Sequence, residues 1–447
     1  MGLLEALGQA LRIPELRKKI VLTLVLLLAF RVMATVPVPG TNADALNALF
    51  GPNGNSVLGL LNIFSGGGLS RFTLVAEGLN PYINATIIMQ LMTVVSFRLK
   101  ELSKEGEIGR KKITRYTRWL TVPLAAIQGW GLVQYFMSQQ GANGQTISFL
   151  NDNGAFSQLT VIITLTAGTV IAMWLGELIT EYGVGNGVSM IIFVGIIGRL
   201  PGALYGYAST GGVHVAQLVG MSIIAVAVTA AIIEVQQAQR KIPVQSAQRV
   251  LNPRSGAATQ RRMNFLPLRV NAAGVIPIIF AISIMYFPTI FANLFNNTSG
   301  WVKNVVDWIH NNWLPQGPTW WISLLYNAIY FMLVLGFTYF YTAVVFDPND
   351  VADNLKKQST FIPGIRPGRS TAEYLAKVMG RITLAGALFL ATITVLLPLG
   401  TAAILKITDP TLYLGGTAIL IVVGVALDTM KQIETQLLMR QYRGFIT

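Results

Sequence analysis

Ten apolar runs divide this 447-residue chain, at residues 20–36, 79–99, 117–137, 159–179, 187–207, 215–235, 272–291, 320–344, 382–398 and 412–428. A helix needs about 20 apolar residues to cross the hydrocarbon core of a bilayer, and it must satisfy its backbone polar groups internally. Ten such runs restrict the chain to an all-α polytopic membrane protein. Composition agrees: only 12% of residues are charged, too few to solvate a globular surface of this size.

One stretch breaks the pattern. Residues 60–99 read LLNIFSGGGLSRFTLVAEGLNPYINATIIMQLMTVVSFRL. A short apolar segment is interrupted by Ser65, Gly66, Gly67 and Gly68 and carries Arg71; only after Asn80-Pro81 does a run long enough to span begin. Irregular backbone at membrane depth is tolerated only where protein buries it or where it lines a water-filled cavity. This stretch is therefore expected to line a pore or cavity.

The formal charge of +14 is distributed by membrane side. Ten spans put both termini on one side. Of the 33 Lys and Arg, only Arg71, Arg199, Lys303 and Lys406 fall on the other side, and Arg31 lies inside the first run. The positive-inside bias makes the rich side the cytoplasm, so the charge does not call for nucleic acid. The chain has no Cys, which excludes thiol chemistry, and its two His, His214 and His310, fall in outer loops. Residues 1–36 read as a retained span, because the apolar core is long, contains Arg31 and is followed by VPVPG. Leu3, Leu4, Leu7 and Leu11 share a helical face suited to the membrane interface.

Transporters and intramembrane enzymes keep ionisable groups at mid-membrane. Here Arg31, Glu177, Glu234 and Asp428 lie towards span ends, and no metal-ligand spacing occurs. Gly183 to Gly187 lacks the spacing of a dinucleotide site, and Ser65 to Gly68 lacks the Lys-Ser/Thr ending of a phosphate loop. No enzymatic activity, cofactor or metal is expected.

Mid-span polarity is uncharged: Asn80, Asn84, Thr86, Gln90 and Thr93 on the second run, Gln128 on the third, Asn271 and Ser283 on the seventh, Asn327 and Thr338 on the eighth. Such groups join helices at about 0.6–2 kcal/mol each. A seam held by a few of them can close and reopen.

Two long inner loops carry charge. Residues 236–271 hold Arg240, Lys241, Arg249, Arg254, Arg261, Arg262 and Arg269 with no acidic residue. Residues 347–380 stiffen around Arg366 through Pro363-Gly364 and Pro367-Gly368. Both suit attraction to anionic lipid, and the second suits presenting an arginine to a large partner.

Several long motifs, in order along the chain, resemble the SecY family of protein-conducting channels. They are VPVPG, LNIFSGGGLSRF with PYINATIIMQL, KEGEIGRKKITRYTR, MWLGELITEYGVGNGVSMIIF, LPLRVNAAGVIPIIFA and ADNLKKQSTFIPGIRPGRSTAEYL. The resemblance implies two inverted five-helix halves, residues 1–207 and 208–447, around an hourglass pore. It implies a plug at residues 60–72, containing Asn62, Phe64, Ser65, Gly66, Gly67, Gly68 and Arg71. It also implies an apolar pore ring of Leu79, Ile83, Val188, Ile192, Ile279 and Ile421, which would gate by dewetting. Leu79/Ile83 and Val188/Ile192 have the i,i+4 spacing that such a ring needs.

A lateral gate between spans two and three and spans seven and eight would carry Thr86, Gln90, Gln128, Ser283 and Asn327. Partner docking would fall to Arg254, Arg261, Arg262, Lys356, Lys357 and Arg366. The implied partners are SecE-like and SecG-like small subunits, the SecA motor ATPase, the ribosome, signal-bearing precursor polypeptides and anionic lipids. The implied location is a bacterial plasma membrane, with both termini cytoplasmic. The chain departs from the family at Gly68, where Ala is common, and at Asn80, where an apolar residue is usual. Leu79 and Val188 replace the more usual Ile. The rival reading is an inverted-repeat secondary transporter.

Overall fold

The computed structural model describes residues 8, 12–42, 62, 65–138, 149–150, 152, 154–198, 201–202, 215–246, 263–295, 300–313, 319–405 and 415–443. The helices are α1 (Pro14–Met33), α2 (Asn80–Val95), α3 (Phe97–Lys104), α4 (Glu107–Ser138), α5 (Ala155–Tyr182), α6 (Gly187–Ile197), α7 (Val215–Gln237), α8 (Ile276–Leu294), α9 (Trp301–Asn312), α10 (Trp320–Val345), α11 (Pro348–Lys357), α12 (Arg369–Leu405) and α13 (Gly415–Arg443). Three strands accompany them: β1 (Gln239–Ser246), β2 (Met263–Arg269) and β3 (Thr360–Phe361). Each of the ten apolar runs falls on a helix: α1, α2, α4, α5, α6, α7, α8, α10, α12 and α13. The expected face at residues 3–12 lies almost wholly outside the described residues.

The second span is shorter than its apolar run. The chain turns by 100° at Ser96, so residues 97–99 begin α3 instead of ending α2. Ser96 is extended (φ −91°, ψ 119°), which stops the helical ladder, and Arg98, Lys100, Lys104 and Glu101 then keep α3 in water. Apolarity counted along the sequence does not register that change of direction.

The reversal after the fourth span is as tight as its glycines suggest. α5 ends at Tyr182 and α6 starts at Gly187, where a Cβ would strike the Gly176 carbonyl. Gly185 adopts φ +87°, open to glycine but rarely to other residues. Thr23 of α1 accepts from the Val184 amide at 3.0 Å, and Gln432 of α13 accepts from the Gly185 amide at 3.1 Å. The turn is thus fixed to both ends of the chain.

The described parts of the two charged loops form a small sheet. β1 pairs antiparallel with β2, and its last two residues pair with β3, giving the order β2-β1-β3. Ile242, Val244 and Leu268 point inward onto Leu375, Val378, Met379 and Ile382 of α12, while Arg240 and Lys241 face water. The described parts of the two loops singled out by charge therefore form one module on α12. With 37 residues, about 55 Å at 1.5 Å per residue, α12 exceeds a hydrocarbon core of about 30 Å and carries the module beyond it.

The main apolar core draws on α1, α2, α5, α6, α7, α8, α10, α12 and α13. Between the first five spans and the last five, α8 packs against both α2 and α4, and α6 packs against α13 on the other side.

Candidate functional site

The broken stretch is held by backbone geometry that only its glycines allow. From Ser65 to Leu79 it runs as successive turns, with Gly66 at φ +67° and Gly67 at φ +95°. Asn62 ties the knot. Its carbonyl accepts from the Gly67 amide at 2.8 Å, and its Oδ1 accepts from the Ser70 amide at 2.9 Å. Ser65 Oγ accepts from the Leu69 amide at 3.0 Å. Asn62, Ser65, Gly66 and Gly68 are buried, Gly67 is half-buried and Arg71 is exposed; Phe64 lies outside the described residues. Gly68 has a local reason: a Cβ there would sit 2.6 Å from Thr73 Oγ1 and 3.0 Å from the Val75 carbonyl.

Gly66 seats this knot. Its missing side chain brings it against Gly195 of α6, where a Cβ on Gly66 would lie 3.2 Å from the Gly195 Cα. Its carbonyl accepts from Arg31 Nη1 at 3.0 Å. Arg31 belongs to the last turn of α1, and its guanidinium fills the space a side chain on Gly198, the C-cap of α6, would take. A half-buried cation thus sits at two helix C-termini, where the macrodipoles favour positive charge. Sequence reading had placed Arg31 only by depth. Its link to Gly66, 35 residues away, is a finding of the fold.

The chain leaving the knot is gripped by α4 and α5. The VPVPG segment pairs with it: the Val38 amide donates to the Phe72 carbonyl at 2.9 Å, and the Leu74 amide donates to the Val36 carbonyl at 3.0 Å. Phe72 is fully buried at φ +43°, a costly backbone for a bulky residue. Edge-to-face contacts with Phe136 (5.6 Å) and Phe149 (4.6 Å) hold it there. Gly168 of α5 leaves room for the Leu74 carbonyl, and Gly129 of α4 leaves room for the Glu77 carboxyl, whose Oε1 would lie 2.6 Å from a Cβ at that position.

Glu77 escaped sequence reading. It is 6% exposed, accepts one long bond from Thr169 Oγ1 (3.4 Å) and leaves Oε1 buried without a hydrogen bond. A buried, partly satisfied carboxyl is expensive. The available signal was its isolation, since it is the only acidic residue between Asp44 and Glu101.

The six ring candidates come from four helices or their caps and share one apolar cluster: Leu79, Ile83, Ile192, Ile279 and Ile421 are buried in it, and Val188 packs against it. The gate candidates lie where α2, α4, α8 and α10 meet, and Gln128, Ser283 and Asn327 are buried. Thr86 Oγ1 donates to Tyr82 O (2.8 Å) and Asn327 Nδ2 to Ser323 O (2.8 Å), each within its own helix. Gln90 Oε1 is buried without a hydrogen bond. Across the inner ends of α4 and α5, Arg118 donates to Glu177 at 2.8 Å.

Beside the three-stranded sheet, Lys356 and Lys357 are exposed in the last turn of α11. Arg366 is exposed at the tip of a turn between Gly364 (φ +82°) and Gly368 (φ +103°), with its carbonyl accepting from Thr371 Oγ1 at 2.9 Å. Arg254, Arg261 and Arg262 lie outside the described residues. Among the described residues no group of three His, Cys, Asp or Glu could hold a metal ion.

Residues 73–430 match the family model for SecY. A curated relative, the protein translocase subunit SecY of Streptomyces galbus, is 43% identical over 99% of this chain and 100% of its own length. Two solved structures share the fold. One concerns the SecY plug domain as stabilising the closed translocation channel, with TM-score 0.61, 17% identity, and 93% and 91% of the two chains covered. The other is Sec61 in a canine ribosome–channel complex, with TM-score 0.60, 17% identity and the same coverage.

Proposed function

This chain belongs to the SecY family, and from that membership we propose that it is the channel subunit of a protein translocase. It passes unfolded, signal-bearing polypeptides across a bacterial plasma membrane and releases membrane spans sideways into lipid. It is a conduit, with the driving force supplied by partners. The observation that carries this reading is the knot of turns at residues 65–72, seated by Arg31 on the C-terminus of α6. On the α6 side its seat is one side-chain bond and close backbone contact, which suits a removable stopper better than a fixed channel wall.

The ring residues Leu79, Ile83, Val188, Ile192, Ile279 and Ile421 form the constriction under that stopper. Their shared apolar cluster supports the assignment, because apolar side chains deform around a passing chain without holding it. The halves 1–207 and 208–447 are the moving units. Their seam is the packing of α8 on α2 and α4, and their hinge is the packing of α6 on α13. Parting the seam lets an apolar segment transfer to lipid at about 25 cal/mol per Å² of buried apolar surface.

The cytoplasmic module, with Arg240, Lys241, Lys356, Lys357 and the Arg366 tip, is the docking face for a ribosome or a SecA-type motor. SecE-like and SecG-like subunits complete the assembly, and both termini are cytoplasmic. The near-absence of mid-membrane charge disfavours the secondary-transporter reading.

The test is reconstitution into vesicles with small subunits and motor, supplied with ATP and a signal-bearing precursor. Protease-protected precursor is the expected result. Solute uptake without protected precursor would overturn the proposal. In the same assay Arg366→Glu should lower motor-driven transport by about tenfold or more, because charge reversal at a docking surface converts attraction to repulsion. The turn lies in open space at both glycines, so the amount of folded channel should not change. Undiminished transport would remove Arg366 from the docking face.

A further inference from the structure

The outer loop between α8 and α10 is built as a strap. α9 carries Trp313 just past its end, whose indole Nε1 donates to the Met285 carbonyl of α8 at 2.7 Å. The same ring meets Tyr326 of α10 edge-to-face at 5.7 Å. One end of the strap is thus fixed to both helices on the far side of the seam. From α9, His310 reaches back across the seam to Tyr135 of α4, with ring centroids 5.6 Å apart. Tyr135 is 4% exposed, and its ring lies 5.6 Å from that of Phe136, which in turn holds Phe72. The His310 Nε2 is buried without a hydrogen bond, and the ring packs against that of Tyr135.

We propose that α9 is an outer clasp on the lateral gate, with His310 as the positioning residue that holds α4 against the α8–α10 pair. The inference rests on the channel reading above. Any opening that carries α8 and α10 away from α4 must separate these two rings, because Trp313 moves with α8. The strength of this contact therefore helps set which signal segments can pry the seam apart.

The clasp also has a direction in acid. Burial lowers the His310 pKa from its ordinary value, partly offset by Asp307 one turn back. The other titratable groups on α9 and on the outer halves of the helices beside it are Lys303 on α9 itself, Tyr135 on α4, Tyr286 on α8, and Tyr326 and Tyr330 on α10. Released into water, the imidazole regains its ordinary pKa, so protonation favours the parted state. The clasp holds above the unperturbed histidine range and weakens as the outer face is acidified through it.

The chain has no cysteine, so the doubly substituted Y135C/H310C channel can be cross-linked without background. Treated with a short, reducible thiol cross-linker in the vesicle assay, it should stop transporting precursor and recover on reduction. Transport that continues unchanged when cross-linked would overturn the clasp. If neither the reduced channel nor the unsubstituted one transports any precursor, the channel reading itself fails and takes the clasp with it.

His310→Ala should raise uptake of a precursor with a weakened signal roughly three- to tenfold, the worth of one aromatic contact. His310→Phe, which keeps a ring, should stay near the unsubstituted level. Acidifying the outer face should raise that uptake in the unsubstituted channel and not in His310→Phe. Equal uptake by His310→Ala and the unsubstituted channel, or an acid response shared by His310→Phe, would remove histidine from this role.

Discussion

Gly168→Ala should destabilise this channel more than its single added methyl suggests. The new Cβ would occupy the place of the Leu74 carbonyl. A flexible side chain could rotate away, but Leu74 is tied by its own amide to the Val36 carbonyl. Overpacking by one methylene costs about 1–3 kcal/mol where side chains can yield, and a backbone obstacle puts this substitution at or above the top of that range. Relief requires lifting the chain between Phe72 and Leu79 out of the α4–α5 groove, which withdraws Glu77 from Gly129. Lower thermal stability in detergent and increased ion leak in vesicles are expected together. Gly336→Ala on α10 is the control. Nothing lies within 4 Å of a Cβ there, so it should be neutral or stabilising by up to about 1 kcal/mol through helix propensity. Equal behaviour of the two variants would show that the groove at Gly168 is not filled as described.

With residues 65–72 as the plug proposed above, Arg31→Gln should unseat it. The bond to the Gly66 carbonyl has a charged donor, and such bonds are worth about 1.5–3 kcal/mol, or roughly ten- to more than a hundredfold in the displaced population. Single-channel or vesicle conductance without precursor should rise by at least about tenfold. Gly198→Ala attacks the same contact from the other side: it keeps the charge but pushes the guanidinium out of its place beside the α6 C-terminus. Both variants should leak. If both hold ions as well as the unsubstituted channel, Arg31 does not retain the plug.

Much of this was legible beforehand. Run length located ten apolar helices, and the interrupted glycines at Ser65 to Gly68 pointed to buried irregular backbone. The three-stranded sheet was hidden for a physical reason. Pro243 and Pro267 fall within its strands, and proline cannot donate to a ladder. β3 pairs only with Gln245 and Ser246, so the β1 edge at Pro243 needs no donor on that side. No local pattern announces such an arrangement.

Glu77 was hidden differently. Its partners, Thr169 and the notch at Gly129, come from two other helices, so its sequence neighbours make it look like an ordinary turn residue. The Arg31–Gly66 bond depends on a backbone carbonyl, and a carbonyl leaves no mark in sequence. The length of the second span was misjudged because Ser96 changes the chain's direction without changing its apolarity.

The length of α12 has a mechanical consequence. Its first third bears the three-stranded sheet and begins three residues after Arg366, while Leu390 and Ala391 lie in the main core. Between these points the helix is uninterrupted, with its proline only at Pro398. It is a stiff lever with its load arm outside the bilayer. A motor or ribosome bearing on the arginine tip would exert torque on the second half directly, and the same rod would report the state of the seam back to whatever is docked.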